Sequence, residues 1–193
     1  MKITKAEYKT SVVSSKMIID DGVPEFAFVG RSNVGKSSLI NCLVNQKKLV
    51  KTSSTPGHTK MINYFDINEA SFRFVDLPGY GFAKTGKSHQ DVWSTLMEYY
   101  LLGSKSIKKI FMLVDIRHKP TEQDKQMLSY LFYHNLPICV VATKSDKVPK
   151  SKISNYLSII ASELALGKDN IIAFSSETGF GKEKVLEVIE KSL

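Results

Sequence analysis

The run Gly30-Arg31-Ser32-Asn33-Val34-Gly35-Lys36-Ser37 constrains this chain more than any other feature. It fits G-x-x-x-x-G-K-[ST], in which the glycines let the backbone curl so that successive N–H groups point at a phosphate. A chance match in a chain of this length is about one in a hundred from average residue frequencies. An apolar run, Phe26-Ala27-Phe28-Val29, precedes it, and Leu39, Ile40, Leu43 and Val44 recur behind it at helical spacing. The motif therefore sits between a buried strand and a helix, whose N-terminal dipole adds to anion binding.

The rest of the chain repeats that alternation. Met61–Ile67 and Phe72–Asp76 read as a hairpin across Asn68-Glu69-Ala70-Ser71. Strands are expected at Lys109–Asp115, Pro137–Thr143 and Ile171–Phe174. Helices are expected from Ser88/Asp91 to about Leu102, from Thr121/Asp124 to about Asn135, over Ile153–Leu164, and from about Gly181. This is an α/β, three-layer arrangement: a mostly parallel six-stranded sheet with one antiparallel strand and helices on both faces. In such sheets ligands bind beyond the carboxyl ends of the strands, so the residues just after each strand are the candidate functional ones.

Three further post-strand segments carry chemistry. Asp76-Leu77-Pro78-Gly79 follows the hairpin, with Asp76 placed to orient Mg²⁺ through water and Gly79 to offer its N–H to a γ-phosphate. Thr143-Lys144-Ser145-Asp146 resembles N-K-x-D with Thr in place of Asn. A carboxylate at Asp146 can accept from both N1–H and the 2-amino group of guanine. Adenine has no such donor pair, so ATP would leave the carboxylate unpaired. The Lys144 stem can lie over the base. Ser175-Ser176-Glu177 suits a backbone N–H to guanine O6. Together these are the G1, G3, G4 and G5 motifs of translation-factor-related P-loop GTPases. The G2 threonine falls to Thr59, in Pro56-Gly57-His58-Thr59-Lys60, with Thr52 and Thr55 as rivals.

Bulk composition narrows the class. Hydrophobic content of 42% suits a real core. No apolar run approaches the ~18 residues of a membrane span, and the first residues have no secretory apolar core. Cys42 and Cys139 are too far apart for a disulfide framework or a zinc site, and read as reduced, core-compatible thiols. His58, His89, His118 and His134 have no metal-ligand spacing. With Lys+Arg 27 and Asp+Glu 19, the formal net charge is +8. From Phe26 to Tyr64 there is no acidic residue, while Arg31, Lys36, Lys47, Lys48, Lys51 and Lys60 all lie there. The only arginines are Arg31, Arg73 and Arg117, so attraction to a polyanion's backbone fits better than base-specific reading. Arg117 and His118 follow a strand at the functional edge; contact with RNA, a partner or the switch, or a loop salt bridge, are all open.

Longer phrases resemble one family. GRSNVGKSSLIN at 30–41, TSSTPGHTKMINYF at 52–65, FVDLPGYGFAK at 74–84, VDIRHKPTEQD at 114–124, ATKSDKVPKSK at 142–152 and FSSETGFGK at 174–182 are similar to the EngB (YihA/YsxC) family of bacterial GTPases. PGYGFAK and DxRHxPxxxD are more specific than any generic GTPase motif. The resemblance implies one G domain over 1–193, with 1–22 an N-terminal extension to a core at 22–193. It implies a cytoplasmic monomer that hydrolyses GTP to GDP and serves assembly of the large ribosomal subunit, through precursor rRNA and ribosomal proteins. A link to septation and cell division also follows.

The nucleotide contacts implied are Gly30, Arg31, Ser32, Asn33, Val34, Gly35, Lys36, Ser37 and Ser38; Gly57, His58, Thr59, Lys60 and Met61; Asp76, Leu77, Pro78 and Gly79; Thr143, Lys144, Ser145 and Asp146; and Ser175, Ser176 and Glu177. Lys36, Thr59, Gly79 and Asn33 take the catalytic roles. Mg²⁺ falls to Ser37 and Thr59 directly and to Asp76 through water. Ras-like proteins place a glutamine after D-x-x-G; here that position is Tyr80, so slow intrinsic turnover is expected. Asn33 has two readings, a ligand arrangement for K⁺ or a loop-stabilising hydrogen bonder. Rival functions are a P-loop kinase or ATPase, against which Asp146 argues, and a division-site interaction protein controlled by nucleotide.

Overall fold

The structure, a computed structural model, describes residues 1–50, 61–81 and 95–193. The strands are β1 (Ala6–Val12), β2 (Glu25–Gly30), β3 (Ile62–Ile67), β4 (Phe72–Asp76), β5 (Ile107–Asp115), β6 (Ile138–Thr143) and β7 (Ile171–Ala173). The helices are α1 (Lys36–Leu43), α2 (Thr95–Gly103), α3 (Glu122–Tyr133), α4 (Ile153–Glu163) and α5 (Lys182–Ser192). The sheet runs β1-β3-β4-β2-β5-β6-β7. Pairing is antiparallel at β1/β3 and β3/β4 and parallel elsewhere, so β3 alone runs against the others.

The expected single antiparallel strand is present, but among the described residues the sheet has seven strands, not six. The extra one, β1, comes from the N-terminal segment. Its burial explains why periodicity misses it: of Ala-Glu-Tyr-Lys-Thr-Ser-Val only Ala6 and Val12 are buried. It is an edge strand with charge on its face, the usual guard against further pairing, and Lys9 pairs with Asp66 of β3 at 3.3 Å.

Alternation along β2 builds both layers of the core. Ala27 and Val29 face the layer covered by α2, α3 and α4. Phe26 and Phe28 face the layer covered by α1 and α5, where Phe28 stacks on Phe111 at 5.3 Å. Every β2 residue is buried, as a central parallel strand requires. At the far end of the sheet from the phosphate loop, buried Arg73 donates from Nε to Asp66 and from Nη1 to Asp21, both at 2.6 Å. Beside it, buried Glu25 accepts from Tyr100 and Ser104 at 2.9 Å each, tying α2 to β2. Burial raises the Glu25 carboxyl above its ordinary range, opposed by those two hydrogen bonds.

The expected cap of α3 is present in full. Thr121 accepts from the Asp124 backbone, and Asp124 accepts from the Thr121 backbone at 2.8 Å. The expected Ser88/Asp91 cap, like Thr52, Thr55 and the 57–60 segment, lies outside the described residues. Cys42 and Cys139 are free thiols; burial pushes Cys139 up to about 11. No helix among the described residues is long and apolar enough to cross a membrane.

Candidate nucleotide site

The phosphate loop leaves β2 at Gly30, and α1 begins at Lys36. Both glycines are sterically required. A Cβ on Gly30 would stand 2.8 Å from Val34 and 3.0 Å from the Leu113 carbonyl. Gly35 has φ +109°, a conformation L side chains rarely adopt. It occupies the α1 N-cap with no side-chain cap. The first-turn N–H groups, Ser37 and Ser38 among them, thus lack a side-chain acceptor at the cap, as an anion-binding helix start requires.

Lys36 Nζ approaches Asp76 Oδ1 at 3.3 Å, with both side chains nearly buried. The approach lacks hydrogen-bond geometry, so Oδ1 is a buried carboxylate oxygen without a hydrogen-bond partner. An orphaned anionic oxygen at a phosphate loop fits an outer ligand of a hydrated divalent cation. After Asp76 the chain runs along the loop: Leu77 N–H donates to Phe28 O at 3.1 Å, and Tyr80 N–H to Gly30 O at 3.3 Å. Gly79 lies so close that a Cβ would stand 3.1 Å from Ser32 N.

The base side is built from the ends of β5, β6 and β7. Thr143 Oγ1 bonds the carbonyls of Val34 at 2.6 Å and Val114 at 3.1 Å. The threonine that replaces the expected asparagine thus ties the phosphate loop to the sheet. Lys144 adopts a left-handed φ of +62°. Its ammonium donates to Asn33 O at 2.8 Å and pairs with Asp115 Oδ2 at 3.0 Å, so its stem bridges the two halves of the site. Asn33 itself has φ +63°. Among the described residues its side chain makes no hydrogen bond, which leaves the loop-stabilising reading to its backbone carbonyl.

Asp146 Oδ1 accepts from the Ser175 hydroxyl at 2.7 Å, and Oδ2 pairs with Lys147 at 3.0 Å. Burial works against its charge, but these two partners outweigh it and hold the carboxyl below its ordinary value. Ser175 is fully buried and accepts from the N–H groups of Glu177 and Thr178 at 3.2 Å each. It therefore shapes the turn and orients Asp146. Ser145 is buried, Ser176 and Glu177 are exposed, and Met61 is 36% exposed at the entrance to β3. Gly57, His58, Thr59 and Lys60 lie outside the described residues. The described candidates thus meet at one sheet edge as phosphate-loop amides, a lysine, a carboxylate oxygen that lacks a hydrogen bond, and an ionised carboxylate 110 residues downstream of Lys36.

Asp115 is a site residue that motif reading missed. It ends β5 beside Thr143 and holds both Lys144 and Arg117. Arg117 grips it with two bonds, Nε to Oδ1 at 2.9 Å and Nη2 to Oδ2 at 2.7 Å. Of the readings open for Arg117, the structure shows the loop salt bridge. Burial raises the Asp115 carboxyl, but hydrogen bonds from Arg117 and Lys144 overcome that and hold it well below the usual carboxylate range. The available signal was its position as the last residue of a strand at the ligand edge.

Residues 25–144 match the family described as 50S ribosome-binding GTPase. A probable GTP-binding protein EngB from Desulforamulus reducens is 49% identical over 192 residues, 99% of this chain and 94% of that protein. The corresponding protein from Bacillus subtilis is 43% identical over 194 residues, 100% of this chain and 99% of the other. A crystal structure of a probable GTP-binding protein engB superposes with a TM-score of 0.66 at 23% identity, covering 87% of this chain and 97% of that one. With full-length identity at that level and a P-loop GTPase fold built as described, the chain belongs to the EngB family of GTP-binding, GTP-hydrolysing proteins.

Proposed function

We propose that this chain is a cytoplasmic GTPase switch that acts in assembly of the large ribosomal subunit, with a link to normal cell division and septation. The observation that carries the reading is the match of residues 25–144 to a family described as 50S ribosome-binding GTPases. One G domain spans residues 1–193, acting as a monomer, with 1–22 as the extension that supplies β1. Era, solved with MgGDPNP and nucleotides 1506–1542 of 16S ribosomal RNA, has the same fold (TM-score 0.65, 23% identity, 89% of this chain and 57% of Era). The formal charge of +8 suits an RNA partner. Lys47 and Lys48 are exposed and carry no ion pair among the described residues. With only three arginines, the contact reads RNA backbone and shape.

GTP is hydrolysed by in-line attack of water on the γ-phosphate. Lys36 and the amides of the phosphate loop bear the charge that develops there. Asp146 selects guanine, Ser175 holds that carboxylate in place, and Lys144 spans from base to loop. Ser37 and Thr59, with Asp76 through water, would hold Mg²⁺, which neutralises phosphate charge when bound. The Asp76 oxygen, ion-paired with Lys36 but without a hydrogen bond, supports that assignment. Tyr80 cannot orient water as a glutamine does, so intrinsic turnover is slow, on the order of 10⁻⁴ s⁻¹.

Co-sedimentation tests the reading. The protein loaded with a non-hydrolysable GTP analogue should travel with ribosomal subunits and move to the free fraction with GDP. Recovery in the free fraction in every nucleotide state would favour the alternative, a division-site interaction protein under nucleotide control. Asn33, whose side chain makes no hydrogen bond among the described residues, is assigned to K⁺ at the phosphates. Turnover should be severalfold higher in K⁺ than in Na⁺ at matched ionic strength, and equal rates would remove that assignment.

A further inference from the structure

Tyr80 stands where Ras-like GTPases carry the water-orienting glutamine, yet its ring belongs to the core and is only 2% exposed. Its hydroxyl donates to Asp124 Oδ1 at 2.8 Å. The other oxygen of that carboxylate accepts from Thr121 N–H and Thr121 Oγ1, each at 2.8 Å, closing the cap of α3. One buried carboxylate therefore serves two elements. Burial first, and then the adjacent Asp124 charge, keeps the Tyr80 phenol protonated and a donor.

The main chain of Tyr80 is engaged on the other side. Its N–H donates to Gly30 O at 3.3 Å, and its carbonyl accepts from Ser32 N–H at 3.2 Å. These are the last bonds of a parallel zip running from Leu77 along the phosphate loop, and they are long. Gly79 immediately precedes them in the chain, and a Cβ on it would stand 3.1 Å from Ser32 N. Next in the chain, Gly81 has φ +96°, and a Cβ there would stand 2.6 Å from Gln123 Oε1 of α3. Phosphate loop, residues 77–81 and the start of α3 thus interlock around one tyrosine. That interlock also joins PGYGFAK to DxRHxPxxxD, two phrases that no generic nucleotide motif accounts for.

We propose that Tyr80 is a positioning residue: bonded through its hydroxyl to Asp124, it holds Gly79 against the phosphate loop and so sets the preference of the site for GTP over GDP. The inference rests on the reading of Gly79 as a γ-phosphate contact. GDP lacks that phosphate, so it does not sense where Gly79 sits. Removing the hydroxyl frees the end of the zip while leaving the ring's volume in the core.

The test compares affinities for GDP and a non-hydrolysable GTP analogue in wild type, Tyr80→Phe, Asp124→Asn and the double variant, with thermal unfolding alongside. Tyr80→Phe should weaken the analogue about five- to twentyfold and change GDP less than twofold. Asp124→Asn, which keeps an oxygen acceptor for the cap and turns its amide N–H₂ to the phenol oxygen, should shift the ratio less than Tyr80→Phe does. The double variant should be no worse than Tyr80→Phe, because the contact that Asp124→Asn alters is already lost with the hydroxyl. Equal weakening of both nucleotides, or a lowered melting temperature with the ratio intact, would mark a merely structural bond and overturn the proposal. If Tyr80→Phe is unstable, Asp124→Ala gives the same comparison, with Thr121→Ala, which disturbs only the α3 cap, as its control. Wild-type protein that binds neither nucleotide would overturn the site reading itself, a result distinct from an unchanged ratio.

Discussion

Replacing Asp146 by Asn should abolish the preference for GTP and transfer it to xanthosine triphosphate. The Asp146 carboxylate is ionised, held by Ser175 at 2.7 Å and Lys147 at 3.0 Å, and so presents acceptors only. Guanine offers two donors to it, N1–H and the 2-amino group. Hydrogen bonds to a charged group contribute about 1.5–3 kcal/mol each, so losing two weakens GTP by about 10²- to 10⁴-fold. The amide N–H₂ of the new side chain then faces the guanine donors. Xanthine carries a carbonyl at position 2, which accepts from that N–H₂. The Ser175 hydroxyl can still donate to the amide oxygen, so the turn at Ser175 keeps its shape. Competition binding of GTP and XTP, with melting temperature as a control, checks the reversal. If Asp146→Asn keeps GTP within tenfold of wild type and ignores XTP, Asp146 has no part in base recognition.

Replacing Lys36 by Ala should lower GTP turnover about a thousandfold. One unit charge at about 4 Å from phosphate is worth about 4 kcal/mol at an effective dielectric of 20. Lys144 is committed to Asn33 O and Asp115. The same change strips the only ion pair found for Asp76 among the described residues, with Asp76 itself only 4% exposed. Leaving a buried charge uncompensated costs about 3–5 kcal/mol, so the nucleotide-free protein should melt at lower temperature. Single-turnover hydrolysis and calorimetry separate the two effects. Asp76→Asn, combined with Lys36→Ala, should restore much of the stability and none of the turnover, because it removes the stranded charge and not the missing cation. Turnover within tenfold of wild type in Lys36→Ala would refute the assignment of Lys36 to phosphate charge.

Residues whose roles are local were legible before any coordinates. The phosphate loop declares itself because its glycines and lysine are consecutive, and because strand and helix periodicities flank it directly. The α3 cap was legible for the same reason: Thr121 and Asp124 are three residues apart, and their reciprocal bonds involve only each other. β1 was not legible. Its pairing partner β3 is some fifty residues away, and an edge strand with two buried residues in seven carries almost no alternation.

Sequence by itself determined the fold class and the candidate nucleotide-binding edge, and singled out Asp146 as the carboxylate to test for guanine recognition. Each depends on short segments whose backbone geometry their own residues dictate. Tertiary structure alone decided what the polar residues at that edge do for one another. The Thr143 hydroxyl crosses 109 residues to the Val34 carbonyl and the Lys144 ammonium 111 residues to the Asn33 carbonyl. Asp115 and Tyr80 take their roles from partners on other elements. Such bonds form only once the parallel sheet brings the ends of β2, β4, β5 and β6 side by side, and no spacing along the chain encodes their distances.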